Sequence, residues 1–308
     1  MATNTFLHAL ATFLPFQDAV ACEAARNISR ADFTRHPNPN FHIRVSDSRD
    51  QQAKAFADTI IGAIQSANQE DRDVVLILPA GPMSQYRHAA RRINRERISL
   101  KRLTTFNMDE YADEHGKTAP PTWPGSFQYA MYHQFFDLID KDLRPSPGNI
   151  RFPSSGNIDR YSEMIQDAGE ADVCFGGVGW SGHIAFWEPQ LGVEFGDDLD
   201  AFKAAPARGV ELHPMTIMQN ALHSFSGDWS AVPPRAATIG PRDIMNARHR
   251  SFWLEGSYGP DGAYQRFIAR LAAHGPVTPL VPASLLQTVP SDYTVLSEIA
   301  DDVVASIT

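Results

Sequence analysis

The chain has 308 residues, 43% of them hydrophobic and 20% charged, the composition of an ordinary soluble globular protein with room for one large α/β domain or two small ones. Its formal net charge of -9 argues against a general nucleic-acid binder and gives no attraction to anionic membranes, yet local amides and arginines can still hold an anionic small molecule. Two cysteines, Cys22 and Cys174, are too few for a disulfide framework, and Cys174 reads as a small hydrophobe inside an apolar strand.

The first stretch of note, FLHALATFLPF from Phe6 to Phe16, is apolar but has no Lys or Arg before it and is too short to span a bilayer. It reads as a short amphipathic helix packed on the domain or on a partner subunit. No other run is long enough for a membrane span, so the cytoplasm is the default location. HPNPN, from His36 to Asn40, reads as a linker. It separates an N-terminal extension, residues 1-40, from a single α/β domain over 41-308.

Phe41 to Val45 (FHIRV) opens that domain as a strand. Asp47 or Ser48 then caps a helix whose apolar face is Ala53, Phe56, Ala57, Ile60 and Ile64. Val74 to Leu78 (VVLIL) is a continuous apolar strand of the kind buried on both faces of a parallel sheet. A turn over Pro79 to Pro82 leads to a helix carrying Tyr86, Ala89, Ala90 and Ile93. A strand ending at Asp109 follows, then a Pro- and Gly-rich loop, a helix over Phe127 to Ile139, and a strand at Val173 to Phe175. Further strands are expected at Ala236 to Ile239 and Ser251 to Leu254, with a helix across Ala263 to Ala272. Strands alternating with helices predict a three-layer α/β/α fold with a mostly parallel, doubly wound sheet. No internal repeat, coiled coil or low-complexity tract interrupts the pattern.

Two segments carry chemistry. Gly176 to Pro189 reads GGVGWSGHIAFWEP and places His183 just after a glycine-rich turn, with Glu188 five positions on. Glycines let backbone amides approach a ligand, and a histidine beside a carboxylate exchanges protons near neutral pH. Arg102 to Tyr111 reads RLTTFNMDEY and ends in Asp109 and Glu110, at the strand edge where open α/β sheets bind ligands. Either acid also reads as a structural hydrogen-bond acceptor, Glu110 as readily as not. The spacing of Gly176, Gly177 and Gly179 does not fit a dinucleotide fingerprint, and His183 with Glu188 lacks further histidines at ligand spacing. Neither a dinucleotide nor a metal is therefore expected.

These segments resemble the glucosamine-6-phosphate deaminase/isomerase family, whose corresponding motifs are T-F-N-M-D-E-Y and G-G-V-G-x-D-G-H-I-A-F-N-E-P. The first matches without a gap; the second differs at Trp180, Ser181 and Trp187. Leu78-Pro79 before a Gly-Pro-Met turn, HQFFD at His133 to Asp137 and PASLLQ at Pro282 to Gln287 extend the likeness from about Phe41 to about Gln287. The resemblance implies a cofactor-free enzyme of carbohydrate metabolism, a homo-oligomer, that opens a pyranose ring and moves a proton between carbons 2 and 1 of an amino sugar or sugar phosphate. Asp109 then corresponds to the enolising base, His183 to the ring-opening histidine, and Glu188 to the glutamate that assists it. Ala80, Gly81, Gly177, Gly179, Trp180, Ser181 and Trp187 are expected to bind substrate.

The departures from the family pattern have a direction. Ser181 stands where the resemblance implies an aspartate that supports the histidine, and serine carries no charge to stabilise an imidazolium. The loop LPAGPM is two residues shorter than the family's phosphate loop and lacks its threonine. Gly259 falls where a family lysine is implied, and Leu222 or His223 where a family arginine is. Arg208, Arg235, Arg242 and Arg248 are the candidates to replace them. Trp180, Trp187 and Trp123 offer aromatic faces to a sugar ring, or fill the core instead. Gly192 to Arg208 reads either as a mobile lid or as a solvated loop. Two other readings stay open: a sugar-phosphate lactonase-type hydrolase, which has no carbon-bound proton to move, and a non-catalytic sugar-binding protein.

Overall fold

The computed structural model describes residues 8–259 and 262–304. In chain order its strands are β1 (Phe41–Ser46), β2 (Val74–Leu78), β3 (Leu103–Asn107), β4 (Asp109–Ala112), β5 (Ile150–Arg151), β6 (Val173–Gly176), β7 (Arg208–Glu211), β8 (Arg235–Thr238), β9 (His249–Leu254) and β10 (Ser291–Leu296). The helices are α1 (Ala19–Arg26), α2 (Arg30–Phe33), α3 (Arg49–Gln69), α4 (Ser84–Glu96), α5 (Phe127–Gln134), α6 (Ile158–Asp167), α7 (Pro189–Gly192), α8 (Leu199–Lys203), α9 (Pro214–Ser224), α10 (Pro241–Asn246), α11 (Arg266–His274) and α12 (Ser297–Ala300). Seven strands form one sheet in the order β1-β10-β9-β6-β2-β3-β5, every neighbouring pair parallel. Among the described residues no helix is long and apolar enough to cross a membrane.

The two-residue period of β2 decides which layer each side chain joins. Val74, Leu76 and Leu78 pack with α3, α4 and α5 on one face, through Phe56, Ile60, Tyr86, Ile93 and Met131. Val75 and Ile77 face the other layer, where α6, α11 and α12 contribute Tyr161, Ile165, Ile268 and Ile299. Both faces are covered, which is why VVLIL is apolar throughout. Ser48 is the N-cap of α3, its side chain accepting from the Gln51 N–H. Phe56 of α3 stacks on Trp253 at 4.8 Å between ring centroids and fixes that helix over β9.

The expected strand ending at Asp109 is two strands. β3 stops at Asn107, and Met108 bridges two sheets: its N–H donates to Leu78 O at 3.0 Å, and its carbonyl accepts from Ile239 N at 2.8 Å. Asp109 then begins β4 of a separate antiparallel sheet, ordered β4-β8-β7. The strand expected at Ala236 to Ile239 is β8 of this small sheet and not a member of the parallel one. The helix expected to reach Ile139 ends at Gln134 and gives way to a 3-10 turn over Phe136–Leu138.

Three readings of connecting segments also change. The part of FLHALATFLPF that is described, from His8 on, is irregular and not helical, with Phe13 O near His213 Nε2 at 3.3 Å. HPNPN does not hang free, because Asn38 Nδ2 donates to Gln287 O at 2.7 Å. Residues before it enter the main core, Phe33 and Ala25 both being buried there. Gly192 to Arg208 is a largely exposed loop interrupted by α8, which buries Phe202 against Trp187 and Phe195.

Candidate active site

The sheet order sets the loops after β2, β3, β6 and β9 along one carboxyl edge, and together with α9 they enclose a cavity of about 430 Å³. Asp109 reaches it because the chain leaves β3 there and turns into the small sheet. Its side chain lines the cavity with 7% of the residue exposed. Burial, and then the charge of Glu110, pushes the Asp109 carboxyl well above the usual carboxylate range.

Glu110 points the other way, as the alternation of a strand requires. Its carboxylate accepts from the N–H groups of Tyr111 at 2.9 Å, Phe127 at 3.0 Å and Gln128 at 2.9 Å, which satisfies the first turn of α5. Burial raises its pKa to about 7 against the pull of those three bonds. It is a helix cap outside the cavity, so its place among the candidate catalytic residues is corrected to a structural one.

His183 lines the cavity, and its Nδ1 is surrounded by Ser181 Oγ at 3.0 Å, Thr216 Oγ1 at 3.0 Å and Glu188 Oε2 at 3.1 Å. Glu188 is fully buried behind the ring and also accepts from Ser181 Oγ at 2.9 Å and His213 N at 3.3 Å. Burial alone would raise the Glu188 carboxyl, but the charge and hydrogen bond of His183, with the hydroxyls of Thr216 and Ser181, outweigh it and hold the group below its ordinary value. Glu188 is thus a carboxylate, an acceptor, so Nδ1 carries the proton and Nε2 is left to the cavity. Gly179 makes the seat: a β-carbon built there would overlap the imidazole.

Of the other expected ligand contacts, Ala80, Gly81, Gly177 and Gly179 line the cavity. Gly81 has φ +96, a left-handed conformation that favours glycine. Ser181 does not face the cavity but supports His183 from behind. Trp180 faces a neighbouring apolar cavity of about 370 Å³, and its ring meets Tyr264 edge-on at 5.5 Å. Trp187 is completely buried, with the Arg208 guanidinium 4.8 Å over its ring, so it fills the core and binds no substrate. The four arginines offered as phosphate ligands are also elsewhere. Arg208 pairs with Glu194, Arg235 with Glu211 and Arg248 with Asp172, and neither they nor Arg242 line the cavity.

Sequence reasoning missed Thr216, His213, Gln219, Asn220, Glu255 and Tyr264. The first four start or ride on α9, and His213-Pro214 is legible as a helix start, with the His213 side chain accepting from Met215 N. Which helix start faces His183 is not written locally. Among the described residues no group of three or more His, Cys, Asp or Glu side chains is placed to hold a metal ion.

A buried strand-edge carboxylate and a histidine braced by a second carboxylate, set in one cavity of an α/β fold, define an acid–base site for a small polar molecule. No model of a known family matches the chain. Among curated proteins it is 32% identical over 222 residues to the glucosamine-6-phosphate deaminase of Caenorhabditis elegans, covering 70% of this chain and 76% of that one. It is 33% identical over 244 residues to glucosamine-6-phosphate deaminase 2 of Bacillus subtilis, covering 75% and 88%. The chain therefore belongs to the glucosamine-6-phosphate deaminase family. A solved structure described as a monomeric glucosamine-6-phosphate deaminase shares the fold, with a TM-score of 0.70 at 23% identity over 84% of this chain and 98% of that one. So does 6-phosphogluconolactonase from Thermotoga maritima, with a TM-score of 0.58 at 14% identity over 83% and 99%.

Proposed function

We propose that this protein is an amino-sugar isomerase and deaminase. The observation that carries the reading is that Asp109 and His183 line one cavity, with His183 Nδ1 held on the buried Glu188 carboxylate. Opening a pyranose removes the proton of the anomeric hydroxyl and delivers one to the ring oxygen. His183 serves this shuttle through Nε2, while Glu188 stabilises the imidazolium that forms and Ser181 and Thr216 fix the ring. Asp109 then takes the proton from carbon 2 and returns it to carbon 1. The 2-amino aldose becomes the imine of the ketose; water adds at carbon 2 to give a carbinolamine, which loses ammonia and leaves a ketose. Ser181 supplies a hydrogen bond where the family aspartate would supply charge, so Glu188 carries the electrostatic part of the task.

The proposal extends to a cytoplasmic homo-oligomer acting on a small molecule, without nucleic acid or membrane. The net charge of -9 and two buried free cysteines support that setting, and light scattering tests the assembly. A lactonase-type hydrolase shares the fold but has no carbon-bound proton to move, and so no task for Asp109. The deciding experiment follows carbon-2 proton exchange by NMR in deuterated water, with free and phosphorylated amino sugars. Exchange that is lost in Asp109→Asn by about a hundred-fold or more is the expected result. No exchange with any amino sugar would sink the reading and leave the hydrolase or a sugar-binding protein.

A further inference from the structure

One end of the cavity is built from groups that the acid–base scheme does not use. Glu255 follows β9 directly and lines the wall, with His223 of α9 and Tyr264 beside it. Burial pushes the Glu255 carboxyl up to about 7, although the Arg49 guanidinium lies 3.7 Å away and pulls it down. Leu222 or His223 stands where the family resemblance implies an arginine, and of the two His223 lines the cavity. Its Nε2 is hydrogen-bonded to the Tyr264 hydroxyl, and their rings lie 5.7 Å apart. Burial, and then the charge of Arg49, holds His223 below its ordinary value, so the ring is uncharged at neutral pH.

Positive charge is scarce at this end. Arg49 is already engaged, its guanidinium donating to Ser257 O and reaching Glu255. All 27 Lys and Arg lie among the described residues, and none lines the cavity. The loop after β2 contributes the start of α4 and the N–H groups of Ala80, Gly81 and Met83, but Pro79 and Pro82 offer none and no cation lines the cavity beside the loop. A phosphate monoester carries roughly one and a half to two negative charges at neutral pH. It would meet an acid, a neutral imidazole and a phenol, where phosphate recognition calls for cations and amides. The same three groups suit a hydroxyl: Glu255 accepts its hydrogen bond, His223 donates or accepts, and Tyr264 offers a ring face to the sugar.

We infer that the cavity takes an unphosphorylated 2-amino sugar, its hydroxymethyl end set against Glu255, His223 and Tyr264. The inference rests on the amino-sugar isomerase reading and names its substrate class. The test is titration calorimetry on the Asp109→Asn variant, which separates binding from turnover, with free glucosamine and glucosamine 6-phosphate as probes. Free glucosamine is expected to bind at least ten-fold tighter than its 6-phosphate. Glu255→Gln, which removes the acid, is expected to narrow that ratio to within about three-fold. His223→Arg, which adds a cation, is expected to improve 6-phosphate binding by at least ten-fold, so the idea stays testable if one variant does not fold. Tighter binding of the 6-phosphate to the Asp109→Asn protein overturns the inference while leaving the isomerase reading intact. Binding of neither sugar overturns it too. Tight binding of free glucosamine with no carbon-2 exchange in the wild type supports the substrate class and sinks the isomerase reading.

Discussion

Gly179 shows how little room the site leaves at the level of single residues. Its missing side chain is the space in which the His183 ring lies. The ring is in turn held from the opposite side by Ser181, Thr216 and Glu188. A methyl group at position 179 forces the imidazole off those partners, and general acid–base help is worth roughly a hundred- to ten-thousand-fold. Gly179→Ala is therefore expected to lower kcat for ring opening by about a hundred-fold, with far-UV circular dichroism and Tm close to wild type. Wild-type kcat in that variant would mean that the ring position is not critical. The sequence motif places the glycine and the histidine four positions apart, but their opposition across a turn is a matter of backbone geometry.

At the level of elements, the junction between β3, β4 and α5 joins the two sheets to the site. Asp109 and Glu110 are neighbours in a strand, so one faces the cavity and the other the start of α5. The Glu110 pKa in the fold, about 7, lies above its ordinary 4.5. As pH rises between those values the unfolded chain gives up its proton first, so the folded state loses relative stability across that window. Glu110→Gln does not titrate. The stability advantage of wild type over this variant, from urea unfolding at several pH values, is expected to shrink from pH 4.5 to 7 by up to about 3 kcal/mol. An advantage that grows with pH would show that the three backbone N–H groups keep the carboxylate charged and that burial does not dominate.

At the level of the whole molecule, the segment before β1 is built into the fold. Phe33 is fully buried under the Arg270 guanidinium at 5.0 Å, and its carbonyl accepts from His274 Nε2 at 2.8 Å. Arg270 Nε donates to Ile28 O at 2.8 Å, so α11 is tied to the extension as well as to the sheet. Phe33→Ala is expected to cost about 3–5 kcal/mol, as for a central core aromatic. Urea unfolding checks this; a cost under about 1 kcal/mol would mean that the extension packs on a fold complete without it. The same helix closes the wall of the cavity near Gln265, whose Nε2 donates to Val178 O at 2.6 Å.

What the sequence by itself determined is everything set by local pattern. VVLIL, the period of the α3 face and the glycine-rich turn before His183 depend on residues a few places apart, and each lies where that pattern places it. Asp109 does not, because β3 stops at Asn107 and Asp109 begins β4 of the small sheet. What only the tertiary structure decided is which distant segments meet. β6 lies between β2 and β9, so Glu255 and the loop after β2 end beside His183 although long stretches of chain separate them. The same sheet order brings α9 over the site with Thr216 and His223. It also decides that Trp187 turns inward to Phe202 and that Glu110 caps a helix. A buried aromatic and one offered to a sugar have the same local signal, as do a catalytic acid and a capping acid. Only the packing of layers, which buries one side of each element, separates them.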